Sequence, residues 1–253
     1  MNFLDPNPKG FPIVLLLHGL GVNSSSWMLQ FDTLISAGFR PIAPDILGFG
    51  ESEYDGLGWS IARNADLLIE LLTQFNSGPV FVVGLSMGGV IAQQLTLSYP
   101  TFVKKLVLVS TFTKLRPTKL FTWFYFLLRA LMVYIFDIKT QAKIVALKVF
   151  PAPGQLHLRK MAEAQIAQAD PRAYREAMKS LFLFNSTKRL KEITIPTLVV
   201  IGENDTTISP AHQMELSKNI PGAKHIIIQK GGHAVTIDHY DEFNQALLKF
   251  LHE

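Results

Sequence analysis

The chain has 253 residues, 48% of them hydrophobic, enough for one large α/β domain with an insertion. It contains no cysteine, which excludes disulfides, thiolate metal sites and a cysteine nucleophile. The net charge of +4 is unevenly placed: residues 111–186 hold 12 Lys/Arg against 4 Asp/Glu, scattered and without a nucleic-acid-binding motif, so no nucleic-acid partner is expected.

Met1 to Lys9 shows no basic stretch followed by an apolar one, so no secretory leader is expected and a cytoplasmic location is. Ile13-Val14-Leu15-Leu16-Leu17 is a continuous apolar run, the pattern of a strand buried on both faces. It ends in His18-Gly19-Leu20-Gly21, and the serines at 24–26 offer caps for a helix over Trp27 to Ala37. A short strand at Pro41–Ala43 leads into the glycine-rich loop from Asp45 to Ser52. Ser60 then caps a helix carried by Ile61, Ala65, Leu68, Ile69 and Leu72 at 3.6-residue spacing. Pro79–Val83 and Leu106–Val109 read as strands on either side of a helix from Gly89 to Ser98. Past Ser110 the rhythm breaks, and residues 111–186 hold helical patterns without a convincing strand. It resumes with a strand at Thr197–Ile201, a helix at Ala211–Asn219, a strand at Lys224–Ile228 and a helix over Tyr240–Leu251. The expected fold is therefore a doubly wound, mainly parallel sheet of about six strands with an inserted helical segment. Residues 1–110 and 187–253 form the core, and 111–186 the insertion.

The chemistry concentrates at Gly84-Leu85-Ser86-Met87-Gly88-Gly89, a strand-to-helix turn in which glycines flank a serine. It is not a phosphate loop: Val90 stands where a P-loop has lysine, and Ser86 occupies the middle glycine position of G-x-G-x-x-G. Sites in open α/β sheets form beyond the carboxyl ends of the strands. Asp205 follows the strand ending at Ile201, and His233 follows the one ending at Ile228, on a Gly-Gly hinge. A serine hydroxyl needs a base, which His233 supplies; the base needs an acceptor for its other N–H, which Asp205 supplies. The backbone N–H of Met87, at the helix start, is a candidate donor to an oxyanion.

The G-x-S-x-G turn, the chain order Ser, Asp, His and the His-Gly loop together resemble the α/β-hydrolase superfamily, over residues 12–110 and 190–253. The resemblance implies a nucleophile elbow at Ser86, a second oxyanion donor at the backbone N–H of Leu20, and a cap formed by residues 111–186. His18 is expected to order the oxyanion loop, and Asp45 its own glycine-rich loop. The family's other acid position, after the strand preceding the insertion, holds Ser110-Thr111 and no carboxylate. Family members open with an antiparallel hairpin that must be truncated or missing in this chain.

These residues imply a serine carboxylesterase acting on a small-molecule ester with a hydrophobic acyl or alcohol group. Neither a metal nor an organic cofactor is expected. The stretch Leu120–Phe136 is apolar nearly all round, but Arg129 lies within it; a cap helix or a lipid-touching surface is expected rather than a membrane span. Lys114, Arg116, Lys119, Arg129 and Lys139 raise the alternative of a thioesterase or esterase acting on anionic, carrier- or CoA-linked acyl groups. Amidase, perhydrolase and lyase chemistry use the same residues and stay open, as does a non-catalytic ligand-binding protein.

Overall fold

The computed structural model describes residues 1–115 and 132–253. Its centre is five parallel strands whose apolar runs leave no room for a solvated face: β2 (Ile13–Leu17), β3 (Arg40–Pro44), β4 (Val80–Leu85), β5 (Val103–Val109) and β6 (Thr197–Gly202). Successive side chains point to opposite faces, which divides each strand between two cores. Leu15, Leu17, Val82, Leu106 and Leu108 pack on one side, and Val14, Leu16, Phe81, Val107 and Val109 on the other. The first core is closed by α2 (Ile61–Thr73) and α3 (Met87–Ser98), the second by α1 (Met28–Ser36) and the C-terminal helix Tyr240–His252. The spatial order is β1-β3-β2-β4-β5-β6-β7, where β1 is Phe3–Leu4 and β7 is Lys224–Ile228.

The sheet thus has seven strands rather than about six. The additional one, β1 (Phe3–Leu4), pairs antiparallel with β3 through Phe3↔Pro44 and Leu4↔Ala43. Two residues are too few to display a period in the sequence. Among the described residues, β1 is the one strand that precedes β2.

Between β5 and β6 the described residues form helices: α4 (Ile138–Val149), α5 (Leu156–Ile166) and α6 (Pro171–Leu183). Asp137 caps α4 by accepting from the Thr140 N–H at 2.8 Å, and Asp170 caps α6 by accepting from the Arg172 N–H at 2.7 Å. A bridge between Lys114 and Asn185 ties the two ends of the segment together. Glu176 on α6 fastens it to the core, accepting from Tyr54 Oη at 2.7 Å and from the Trp59 N–H at 2.5 Å. Most of the apolar stretch Leu120–Phe136, together with Arg116, Lys119 and Arg129, lies outside the described residues. Among those described, no helix is long and apolar enough to cross a membrane.

After β6 come α7 (Pro210–Asn219), β7, a short helix α8 (Val235–Asp238) and α9 (Tyr240–His252). Four residues likewise gave α8 no sequence signature.

Candidate active site

Ser86 sits between β4 and α3 with φ 53° and ψ −111°, a conformation that disfavours any side chain. Such a residue carries about 1–3 kcal/mol of strain and persists only where its surroundings hold it. Here they do: its N–H donates to the Val109 carbonyl at 2.9 Å, and its own carbonyl accepts from Thr111 Oγ1 at 2.7 Å and from the Val90 N–H at 3.1 Å. The flanking glycines are required by contact. A Cβ on Gly88 would lie 2.0 Å from the Leu17 carbonyl oxygen, and one on Gly84 would lie 2.4 Å from that of Gly88. The turn can be this tight only because β2, β4 and α3 approach without side chains between them.

Asp205 and His233 are brought together by the loops that follow β6 and β7. His233 Nδ1 and Asp205 Oδ2 are 2.8 Å apart and both side chains are buried. The carboxylate is fully engaged: Oδ1 accepts from the N–H groups of Thr207 and Ile208 at 2.8 and 2.9 Å, and Oδ2 also accepts from Gln213 Nε2 at 2.9 Å. A carboxylate so surrounded by donors is an acceptor toward the imidazole, which places the proton on Nδ1 and the lone pair on Nε2. The two loops touch backbone to backbone, since a Cβ on Gly202 would fall 2.0 Å from the Gly232 carbonyl oxygen. The Gly232 N–H in turn donates to Asp238 Oδ2 at 3.2 Å.

His18 is fully buried beneath the loop it opens. Its Nδ1 is 2.8 Å from the Gly19 carbonyl, and its Nε2 accepts from the Ile46 N–H at 2.9 Å. Burial pushes its pKa down, against the opposing pull of the Gly19 carbonyl and of Asp45, so the ring is neutral with the proton on Nδ1. Asp45 bridges two loops, its oxygens accepting from the N–H groups of Ser24 at 2.7 Å and Glu51 at 2.9 Å. Neither residue is placed for proton transfer; both hold loops, as the sequence suggests. Among the described residues, the N–H groups of Leu20 and Met87 are not taken by another backbone carbonyl.

Ser86, His233, Gly19 and Leu20 share the wall of a cavity of about 1110 Å³. Its described lining is otherwise mainly apolar, with Phe112 and Leu115 just after β5 and Val145, Leu158, Ala162 and Met178 from the inserted helices. Lys148 is the one Lys or Arg in that described lining. No cluster of metal-ligating side chains occurs among the described residues. The sequence reading did not pick out Thr111, Gln213 or Asp238, which orient Ser86, Asp205 and the His233 loop. For Gln213 a signal exists: it is a polar residue on the buried stripe of α7, in line with Leu216 and Ile220. Asp238 and Thr111 act through contacts that no local pattern reveals.

Residues 14–246 match the model of the alpha/beta hydrolase family, and the chain belongs to that family. A 2-hydroxy-6-oxononadienedioate/2-hydroxy-6-oxononatrienedioate hydrolase of Escherichia coli O139:H28 is 31% identical over 96% of this chain and 88% of its own length. A bromoperoxidase from Bacillus anthracis superposes with a TM-score of 0.89 at 26% identity, covering 99% of this chain and 95% of that one. An esterase from Exiguobacterium antarcticum superposes with a TM-score of 0.89 at 21% identity over 99% and 95% of the two chains, a likeness of fold.

Proposed function

We propose that this chain is a serine-dependent carboxylic ester hydrolase whose substrates carry a hydrophobic acyl or alcohol group. The observation that carries the proposal is the buried Asp205–His233 pair at 2.8 Å, whose His233 lines the same cavity as Ser86, a serine held in a strained turn. In this reading Ser86 Oγ attacks the ester carbonyl while His233 Nε2 takes its proton. Asp205 holds the imidazole in the required tautomer and stabilises the imidazolium. The oxyanion of the tetrahedral intermediate accepts hydrogen bonds from the N–H groups of Leu20 and Met87, each worth on the order of a hundredfold or more in rate. Met87 is the first residue of α3, so the positive end of that helix also favours the charge. The alcohol leaves with the proton from His233, and water activated by the same nitrogen hydrolyses the acyl-enzyme.

In the same reading residues 111–186 cap the site, and the mainly apolar wall of α4, α5 and α6 takes the hydrophobic group of the ester. A p-nitrophenyl ester series from acetate to palmitate, run on the wild type and on Ser86→Ala, tests the proposal. Turnover greatest on chains longer than acetate, and lower by at least about a thousandfold in the variant, is the expected result. Equal turnover by the two proteins would overturn it.

A further inference from the structure

The outer surface of α4 and α5 mixes lysines with exposed apolar side chains. Each helix turns one side to the cavity, through Ile144, Val145 and Val149 on α4 and Leu158, Ala162 and Gln165 on α5. The opposite side of a helix carries the intervening positions. Here these are Lys139, Lys143 and Leu147 at four-residue spacing, and Leu156 and Lys160. Leu147 and Leu156 are 52% and 51% exposed. Just before α4, Tyr134, Ile135 and Phe136 form three consecutive exposed apolar residues, a run that stable surfaces avoid unless it meets something.

The charge on this layer is one-sided. Over residues 138–166 Lys139, Lys143, Lys148, Arg159 and Lys160 face the single acid Glu163. The acids on either side are already engaged at helix ends or with the core: Asp137 and Asp170 as caps, Glu176 with Tyr54 and Trp59. Outside residues 111–186 the chain holds 12 Lys/Arg against 16 Asp/Glu, so the basic character belongs to the inserted segment. Met161 is both 61% exposed and part of the cavity wall, as are Met28 and Leu29 on the facing core segment, so an apolar rim links the cavity to this layer.

We infer that the α4–α5 face docks on an anionic lipid surface, with Ile135, Leu147 and Leu156 entering the apolar boundary and Lys139, Lys143 and Lys160 meeting the headgroups. Interspersed lysines and large apolar side chains on one helical layer are the combination such a surface attracts. The apolar rim at Met28, Leu29 and Met161 would let an apolar chain pass between lipid and cavity without crossing water. That last consequence rests on the ester hydrolase reading; the docking does not.

Co-sedimentation of the full chain with vesicles of equimolar phosphatidylcholine and phosphatidylglycerol, against pure phosphatidylcholine, tests this directly. Binding to the anionic vesicles that weakens with added salt is expected. Lys143→Glu/Lys160→Glu should weaken it by more than about tenfold. Ile135→Asn/Leu147→Asn should also weaken it, at unchanged salt dependence. None of these four residues lines the described cavity wall, so turnover of a soluble short-chain ester is expected to persist in both double variants, which also shows that they fold. Ser86→Ala should bind vesicles as the wild type does, and this separates docking from catalysis. No binding to anionic vesicles, equal binding to both vesicle types, or binding indifferent to both double variants would overturn the inference. So would a loss of turnover on carrier-protein-linked acyl groups in the charge variant without any vesicle binding, which would assign the face to a protein.

Discussion

His18 carries a cost that shows how single residues are used in this chain. It is buried and neutral, its two nitrogens committed to Gly19 and Ile46, and it keeps the strand end and the loop after β3 in register. Its folded-state pKa lies below the ordinary value of 6.5, so below that pH the unfolded chain binds a proton that the folded one does not. Stability from this group is therefore present above about pH 6.5 and lost as pH falls. Urea unfolding at about pH 5 and about pH 7 should show the wild type weaker at the lower pH, and His18→Asn, less stable throughout, should show a smaller difference between the two. An undiminished difference in the variant would assign the acid sensitivity to other groups. His18 was legible as a loop-ordering residue through the resemblance of its His-Gly loop to that of α/β-hydrolases; its partner Ile46, 28 positions away, was not.

At the scale of elements, the elbow and the clamp on α6 differ in how far the sequence reveals them. The elbow is local: a β-branched run, a small-residue turn and a helix occupy consecutive positions, so Ser86 was visible at once. Asp205 and His233 were visible because each follows a strand end, although their meeting depends on the backbone contact between Gly202 and Gly232. The clamp is not local. Glu176 takes hydrogen bonds from Tyr54 and Trp59 more than a hundred residues earlier, while Ala173 packs where Gly48 leaves space for it. Glu176→Ala should lower stability by about 1–3 kcal/mol by stranding these donors, and loosen α6 over the cavity. Since α6 supplies wall rather than reacting groups, KM for a long-chain ester should rise severalfold with kcat little changed. A fall in kcat at constant KM would contradict that division of roles.

The molecule as a whole joins an α/β-hydrolase core to an inserted layer of helices. The parallel core was readable because its strands are buried on both faces, leaving continuous apolar runs, and the family model spans it from residue 14 to residue 246. The short elements β1 and α8 were not readable, having too few residues to show a period. The described part of the inserted layer is apolar toward the cavity and basic-apolar outward, and sequence periodicity alone cannot divide two such faces. Relatives named for different reactions share the core, which is why the nucleophile must be tested on this chain itself. The most direct test is reaction with a fluorophosphonate followed by mass spectrometry of the peptide containing residue 86. The account predicts one covalent adduct, on Ser86, absent in Ser86→Ala and formed far more slowly in His233→Ala. An unlabelled Ser86 in the folded wild-type protein, or labelling at the same rate without His233, would contradict it.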